Sequence, residues 1–237
     1  MAVTHGAVRK RAKGLITESW QSQANLAFFL ALLILISFVL PSLGFGRDDV
    51  ALYSNVGFTV MLLSGVALAW ERRRLFVLVS LIGCTALVTR WLAWHRHTVR
   101  AEDLGDWCNI IAVASIAWVL LTQIFRPGRI THYRIQGAIA VYLLFGAAWA
   151  RGYDIVHRSI PNSFNGPAQE LSNPATWSYF SFVTLTTVGY GDITPLHQIA
   201  RTLAVGEALA GQLFLAVLIA RLVAMELVFW QQKVNNQ

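Results

Sequence analysis

Apolar positions along this chain come in long blocks separated by short polar ones. Six blocks, at 26–45, 51–70, 75–94, 107–125, 135–150 and 199 to about 228, are almost wholly apolar. A helix needs ~17 to 25 such residues to cross a ~30 Å hydrocarbon core, so the pattern predicts an all-α membrane protein with six transmembrane helices. A further stretch, 175–186, is too short to cross. Ser172 and Asn173 suit a helix N-cap and Pro174 suits the first helical position, so it reads as a helix. At ~1.5 Å per residue it covers roughly half the core, and it must dip in and return between helices five and six.

Composition agrees with the blocks. The 237 residues are 56% hydrophobic and 13% charged, with mean hydropathy +0.53, where globular proteins average about 25% charged. Charge orients the spans. With the N-terminus cytoplasmic, twelve of the nineteen Lys and Arg fall inside, among them Arg9, Lys10, Arg11, Lys13, Arg72, Arg73, Arg74, Arg126, Arg129, Arg134, Arg221 and Lys233. Eight of the twelve acidic residues fall outside: Asp48, Asp49, Glu102, Asp103, Asp106, Asp154, Glu170 and Asp192. The positive-inside rule therefore places a multi-pass protein in the cell membrane with both termini cytoplasmic. The net charge of +7 reads as anchoring to that side, with membrane lipids as neighbours and no nucleic-acid partner. The first apolar block is too long for a signal peptide and lacks a small-x-small cleavage site. Cys84 and Cys108 read as small buried hydrophobes rather than as a disulfide.

The chemistry lies directly after the short helix, in Thr187-Val188-Gly189-Tyr190-Gly191-Asp192. A dehydrated cation of the size of K⁺ needs oxygens on all sides, which a strand supplies only if successive carbonyls face one axis. Gly189 and Gly191 can take the positive φ this requires, and Val188 and Tyr190 then point away into packing. The carbonyls of Thr187, Val188, Gly189 and Tyr190, with the Thr187 hydroxyl, would form the ion sites, and Gly191 completes the strand. One chain supplies a quarter of each ring. A Gly-x-Gly run is also a common tight turn, but the capped short helix before it and the apolar run after it fit a pore loop. The C-terminal end of that helix would aim partial negative charge at the cation.

These residues resemble those of the tetrameric potassium-channel superfamily, in its six-transmembrane form. The likeness is specific from Trp177 to about Leu227 and topological before that. It implies a homotetramer around a central pore, with K⁺ in the filter and no other cofactor. The divisions expected are a basic N-terminus (1–25), a peripheral four-helix domain (26–125), a linker (126–134), a pore domain (135–230) and a short tail (231–237). The pore domain comprises the outer helix, pore helix 175–186, filter 187–191 and inner helix 199–230. Tyr179 and Phe180 stand where many relatives carry a Trp pair, and Val183 stands where some place a proton-binding glutamate. Tyr179 can still donate to Asp192, and Thr186 completes the supporting set. The run 107–125 contains no Arg or Lys, so no repeat of charges crosses the field and conventional voltage gating is not expected. Arg90, Arg96 and Arg100 read as interfacial side chains. The residues after Trp230 are too few for a ligand-binding module.

In the last helix, Gly211 matches the glycine at which inner helices of the family bend, and Gly206 is a second candidate; both equally permit close packing. Gln212, Leu215, Ile219 and Val223 share one face, and Ile219 and Val223 could close the pore by dewetting. Glu207 is an intramembrane carboxylate, expected to look behind the filter and to play a structural role ahead of proton sensing. His95 and His97 with Asp103 and Asp106 are a weaker outer metal or proton site, and His197 could feel pH at the mouth. No nucleophile, base and orienting acid occur together, so the chain does not read as an enzyme. A weakly selective cation channel and a nonconducting channel subunit are the alternative readings.

Overall fold

A backbone amide in lipid has no water to turn to, so apolar runs fold as helices that satisfy their own hydrogen bonds. The computed structural model describes residues 24–39, 47–68, 73–96, 99–125 and 131–235. Its helices are α1 (Ala24–Val39), ending in a π-helical turn at Leu35–Val39, α2 (Arg47–Leu68), α3 (Arg73–Arg96) and α4 (Val99–Ile124). Then come α5 (His132–Ser159), the single turn α6 (Ala168–Leu171), α7 (Pro174–Leu185) and α8 (Gln198–Asn235). The basic segment before Ala24, and Arg126 and Arg129 of the expected linker, lie outside the described residues.

Among the described residues, three segments are long and apolar enough to cross a membrane: Gly105–Ile124, His132–Ser159 and Gln198–Val228. Ala24–Val39, Val56–Val66 and Phe76–Thr89 are shorter apolar helical stretches. The helices do not stop where apolarity stops. α4 begins at Val99 rather than 107, α5 continues past 150 to Ser159, and α8 runs beyond 230 to Asn235. The polar extensions of α4 and α5 hold each other. Arg158 of α5 donates to Asp106 of α4 and lies 3.5 Å from Asp154, one turn back on its own helix.

α4 packs against both α3 and α5. A Cβ placed on Gly65 of α2 would lie 2.5 Å from Ile116 Cδ1 of α4, so these helices meet closely at Gly65, against the tip of that side chain. Leu62, Val79, Ile116, Leu120, Val141 and Leu144 form the core of this bundle. α5 also packs against α7 and α8, which places it between α4 and that later segment. A second, mainly aromatic core gathers Tyr153, Phe164, Trp177 and Phe180 around the start of α7. Two-residue strands clamp this region. β1 (Phe164–Asn165) pairs antiparallel with β2 (Thr194–Pro195), with Phe164 opposite Pro195, and Ser163 O accepts the N–H groups of Leu196 and His197.

Candidate functional site

α7 is set by its ends. The Asn173 side chain accepts the Ala175 N–H at 3.0 Å and Pro174 occupies the first turn, satisfying one donor and sparing another. The helix therefore starts at Pro174 and ends at Leu185, with Thr186 as its C-cap, one residue earlier at each end than the expected 175–186. Thr186 Oγ1 donates back to Phe182 O at 2.6 Å.

The chain leaves α7 in left-handed backbone. Thr187, Gly189 and Gly191 have φ of +60°, +57° and +80°. Successive carbonyls of a regular strand point to opposite sides, and left-handed residues at every second position break that alternation. Both glycines have the conformation that their lack of a side chain permits, and no atom lies within 4 Å of a Cβ built on either. Thr187 is the addition that the sequence did not announce, a β-branched residue where such backbone is strained. The Val183 carbonyl anchors the strand by accepting the N–H groups of Val188 (3.0 Å) and Gly189 (3.3 Å). Val183 thus meets the segment through its backbone.

Tyr179 reaches the far end of the same segment. Its hydroxyl donates to Asp192 Oδ2 at 2.6 Å, and its ring stacks on Tyr190 with 6.5 Å between centroids and 3° between planes. The hydrogen bond to Asp192 pushes the Tyr179 phenol up to about 12, so it remains a donor at any ordinary pH. Asp192 Oδ1 accepts the Ile193 N–H. Phe180 faces the other way. It is buried against Tyr153 and Phe164, with centroids 4.8 and 5.6 Å away. Val188 and Tyr190 are 53% and 72% exposed, so the strand presents an unpacked flank within a single chain.

α8 shows two faces. Glu207 and Gly211 turn inward, whereas Leu209, Leu213, Ile219 and Val223 are exposed. A Cβ on Gly211 would lie 2.6 Å from Leu185 O, whereas one on Gly206 would meet only the Trp149 ring edge at 3.4 Å. Gly211 is thus where α8 touches the end of α7, a packing reason for glycine. Gln212 is exposed and Leu215 partly buried.

Glu207 is fully buried. Its carboxyl group lies 2.5 Å from the hydroxyls of both Tyr153 on α5 and Ser181 on α7, and Ser181 Oγ also lies 2.8 Å from Gly146 O on α5. Gly146 is a further close approach, since a Cβ there would sit 2.5 Å from the Phe182 ring. Ser181, Tyr153 and Gly146 were missed by sequence reasoning. The available signal was a serine on a mostly apolar helix, α7, which pairs with the carboxylate only once the fold is known.

At the other end of α8, Arg221 donates to Phe125 O at 2.5 Å and lies 5.0 Å from the centre of the Phe125 ring. His197 Nδ1 accepts the Ile199 N–H at 3.2 Å. Asp106 is taken by Arg158, while the side chains of His95, His97 and Asp103 lie outside the described residues. No cluster of metal-ligating side chains occurs among the described residues.

Residues 138–226, which span α5 to α8, match a protein family described as ion channel. The chain is similar to two pore potassium channel c of Oryza sativa subsp. japonica, 29% identical over 99 residues, 42% of this chain and 20% of that protein. It is similar also to inward rectifier potassium channel Kirbac3.1 of Paramagnetospirillum magnetotacticum, 35% identical over 81 residues, 32% of this chain and 24% of the relative. Protein LctB of Geobacillus stearothermophilus is 39% identical over 67 residues, 28% of this chain and 49% of its own. These matches support an ion channel. The chain spans between about a fifth and a half of the length of the curated relatives it matches. No solved structure matches it. The apolar helices and the family match suggest a membrane protein, and they point away from an enzyme.

Proposed function

We propose that the chain is one subunit of a potassium-selective channel that conducts K⁺ passively through backbone carbonyls. The observation that carries this reading is the alternation of left-handed residues at Thr187, Gly189 and Gly191 within the strand Thr-Val-Gly-Tyr-Gly, delivered by the capped helix α7. Carbonyls brought to one side by such a strand replace the hydration shell of a K⁺ ion when several strands face each other. The two relatives whose names specify potassium channels favour the same ion.

Four copies complete the site. A single strand gives each ion one side of oxygens, its flank at Val188 and Tyr190 is unpacked, and only 11% of the apolar window of α8 is buried, against 44% and 50% for α4 and α5. Neighbouring subunits and lipid cover these faces. In this reading α1 to α4 are peripheral, α5 to α8 form the pore domain at 135–230, and both termini are cytoplasmic. The fourth helix has no Arg or Lys between 107 and 125, so a transmembrane potential finds no repeat of charges to move. Exposed Ile219 and Val223 narrow the inner pore in the closed state.

Purified protein in liposomes under a K⁺ gradient tests the reading. It predicts K⁺ flux that exceeds Na⁺ flux and is abolished by Gly189→Val, which puts a β-branched residue at φ +57°. Absence of flux would leave a nonconducting subunit, and equal K⁺ and Na⁺ flux a weakly selective channel; either result rejects the proposal.

A further inference from the structure

The buried carboxyl group of Glu207 joins three elements, and the hydrogen atoms available there can be counted. Ser181 has one hydroxyl hydrogen and two lone pairs. Its Oγ lies 2.8 Å from Gly146 O and 2.5 Å from Glu207 Oε1. A carbonyl only accepts, so the contact with Gly146 uses the serine hydrogen. The contact with Glu207 then requires a hydrogen from the glutamic acid. Tyr153 donates to the other oxygen, Oε2, at 2.5 Å. A neutral acid satisfies all three contacts.

An ionised carboxylate satisfies them less well and has no counter-charge. No ion pair involving Glu207 occurs among the described residues, where Arg158 with Asp106 and Asp154 forms the pairs. The helices packed there carry Arg134, Arg151, Asp154, His157 and Arg158 on α5 and Arg201, Arg221 and Glu226 on α8, but the ionisable side chains that interact with Glu207 are Tyr153 and Tyr142 on α5, the second donating to Leu185 O at 3.2 Å. Neither is a cation. A buried charge with only hydroxyl donors is costly where a neutral acid is not.

We infer that Glu207 is a positioning residue that ties α8 to α5 and α7 as a protonated acid, donating to Ser181 while Ser181 donates to Gly146 O. The inference rests on the pore reading only for its consequence, because α7 carries the 187–192 strand. When the acid gives its proton to water or hydroxide, Ser181 turns its single hydrogen from Gly146 O to the new carboxylate. The α5–α7 bond is then lost, and the helix that presents the filter is released from its outer wall. Alkaline pH therefore changes conduction through the proton on Glu207.

Infrared difference spectra of the full chain in lipid vesicles test this directly. The wild type at neutral pH is expected to show the C=O stretch of a protonated carboxylic acid that Glu207→Gln lacks, and that band is expected to shift in Ser181→Ala. Carboxylate bands alone at neutral pH, or an acid band unmoved in Ser181→Ala, would overturn the assignment. Glu207→Gln supplies the same donor and acceptor, so it is expected to assemble and to conduct without the alkaline change seen in the wild type. A Glu207→Gln chain that fails to assemble, or that keeps the alkaline change, also overturns it. The spectrum is read whether or not the chain conducts, so a failure of the pore reading shows in flux alone.

Discussion

Thr187 is a β-branched residue in left-handed backbone, a conformation that costs of order 1–3 kcal/mol and persists only where its surroundings enforce it. They do so here through Thr184 O, which accepts the Thr187 N–H at 2.9 Å, and through Val183 O, which accepts the next two N–H groups. At the other end of the strand, Tyr179 holds Asp192. Replacing Tyr179 by Phe removes that donor, leaves Asp192 Oδ2 without it and leaves the side chain held by the Ile193 N–H on Oδ1. The expected outcome is an unchanged preference for K⁺ with faster loss of current during sustained recording in planar bilayers. Stable current in Tyr179→Phe would show that the bond does not hold the strand. The glycine positions of this strand were legible in the sequence, because only glycine takes positive φ freely. Thr187 was not, because nothing in its own chemistry favours that backbone; hydrogen bonds from the preceding turn impose it.

α7 and the first turns of α8 behave as one unit, joined where Gly211 meets Leu185 O. The backbone oxygen cannot swing aside as a side chain can, so Gly211→Ala, with a Cβ 2.6 Å from it, forces the helices apart. Overpacking of this kind costs typically 1–3 kcal/mol. The thermal midpoint of the detergent-solubilised protein is expected to fall in Gly211→Ala and to remain near wild type in Gly206→Ala, whose Cβ meets only the Trp149 ring. Equal midpoints would mean that α8 does not pack on α7 at this contact. At this scale sequence served well for apolar runs and for the Asn173–Pro174 start of α7, whose determinants are local. It failed at the polar extension of α5 to Ser159, stabilised by Asp106 from another helix. It also missed β1 and β2, since two-residue strands carry no period. Glu207 stood out in the sequence, but its partners lie 26 and 54 residues away.

For the molecule as a whole, α5 lies between α4 and the α7–α8 segment. The polar contacts at the two ends of α4 differ: Arg158 of α5 on Asp106 near the strand clamp, and Arg221 of α8 on Phe125 O where α4 ends. In the proposed tetramer, rotational symmetry about a central axis covers both the exposed apolar face of α8 and the open flank of the 187–192 strand. Native mass spectrometry of the detergent-solubilised protein is expected to give a mass four times 26.3 kDa; a monomer or dimer would leave the strand without its ring. The most direct measurement is the reversal potential of reconstituted channels with K⁺ on one side of the bilayer and Na⁺ on the other. Carbonyl coordination by four Thr187–Gly191 strands predicts a reversal displaced strongly toward the K⁺ equilibrium potential, and a reversal at zero would contradict it.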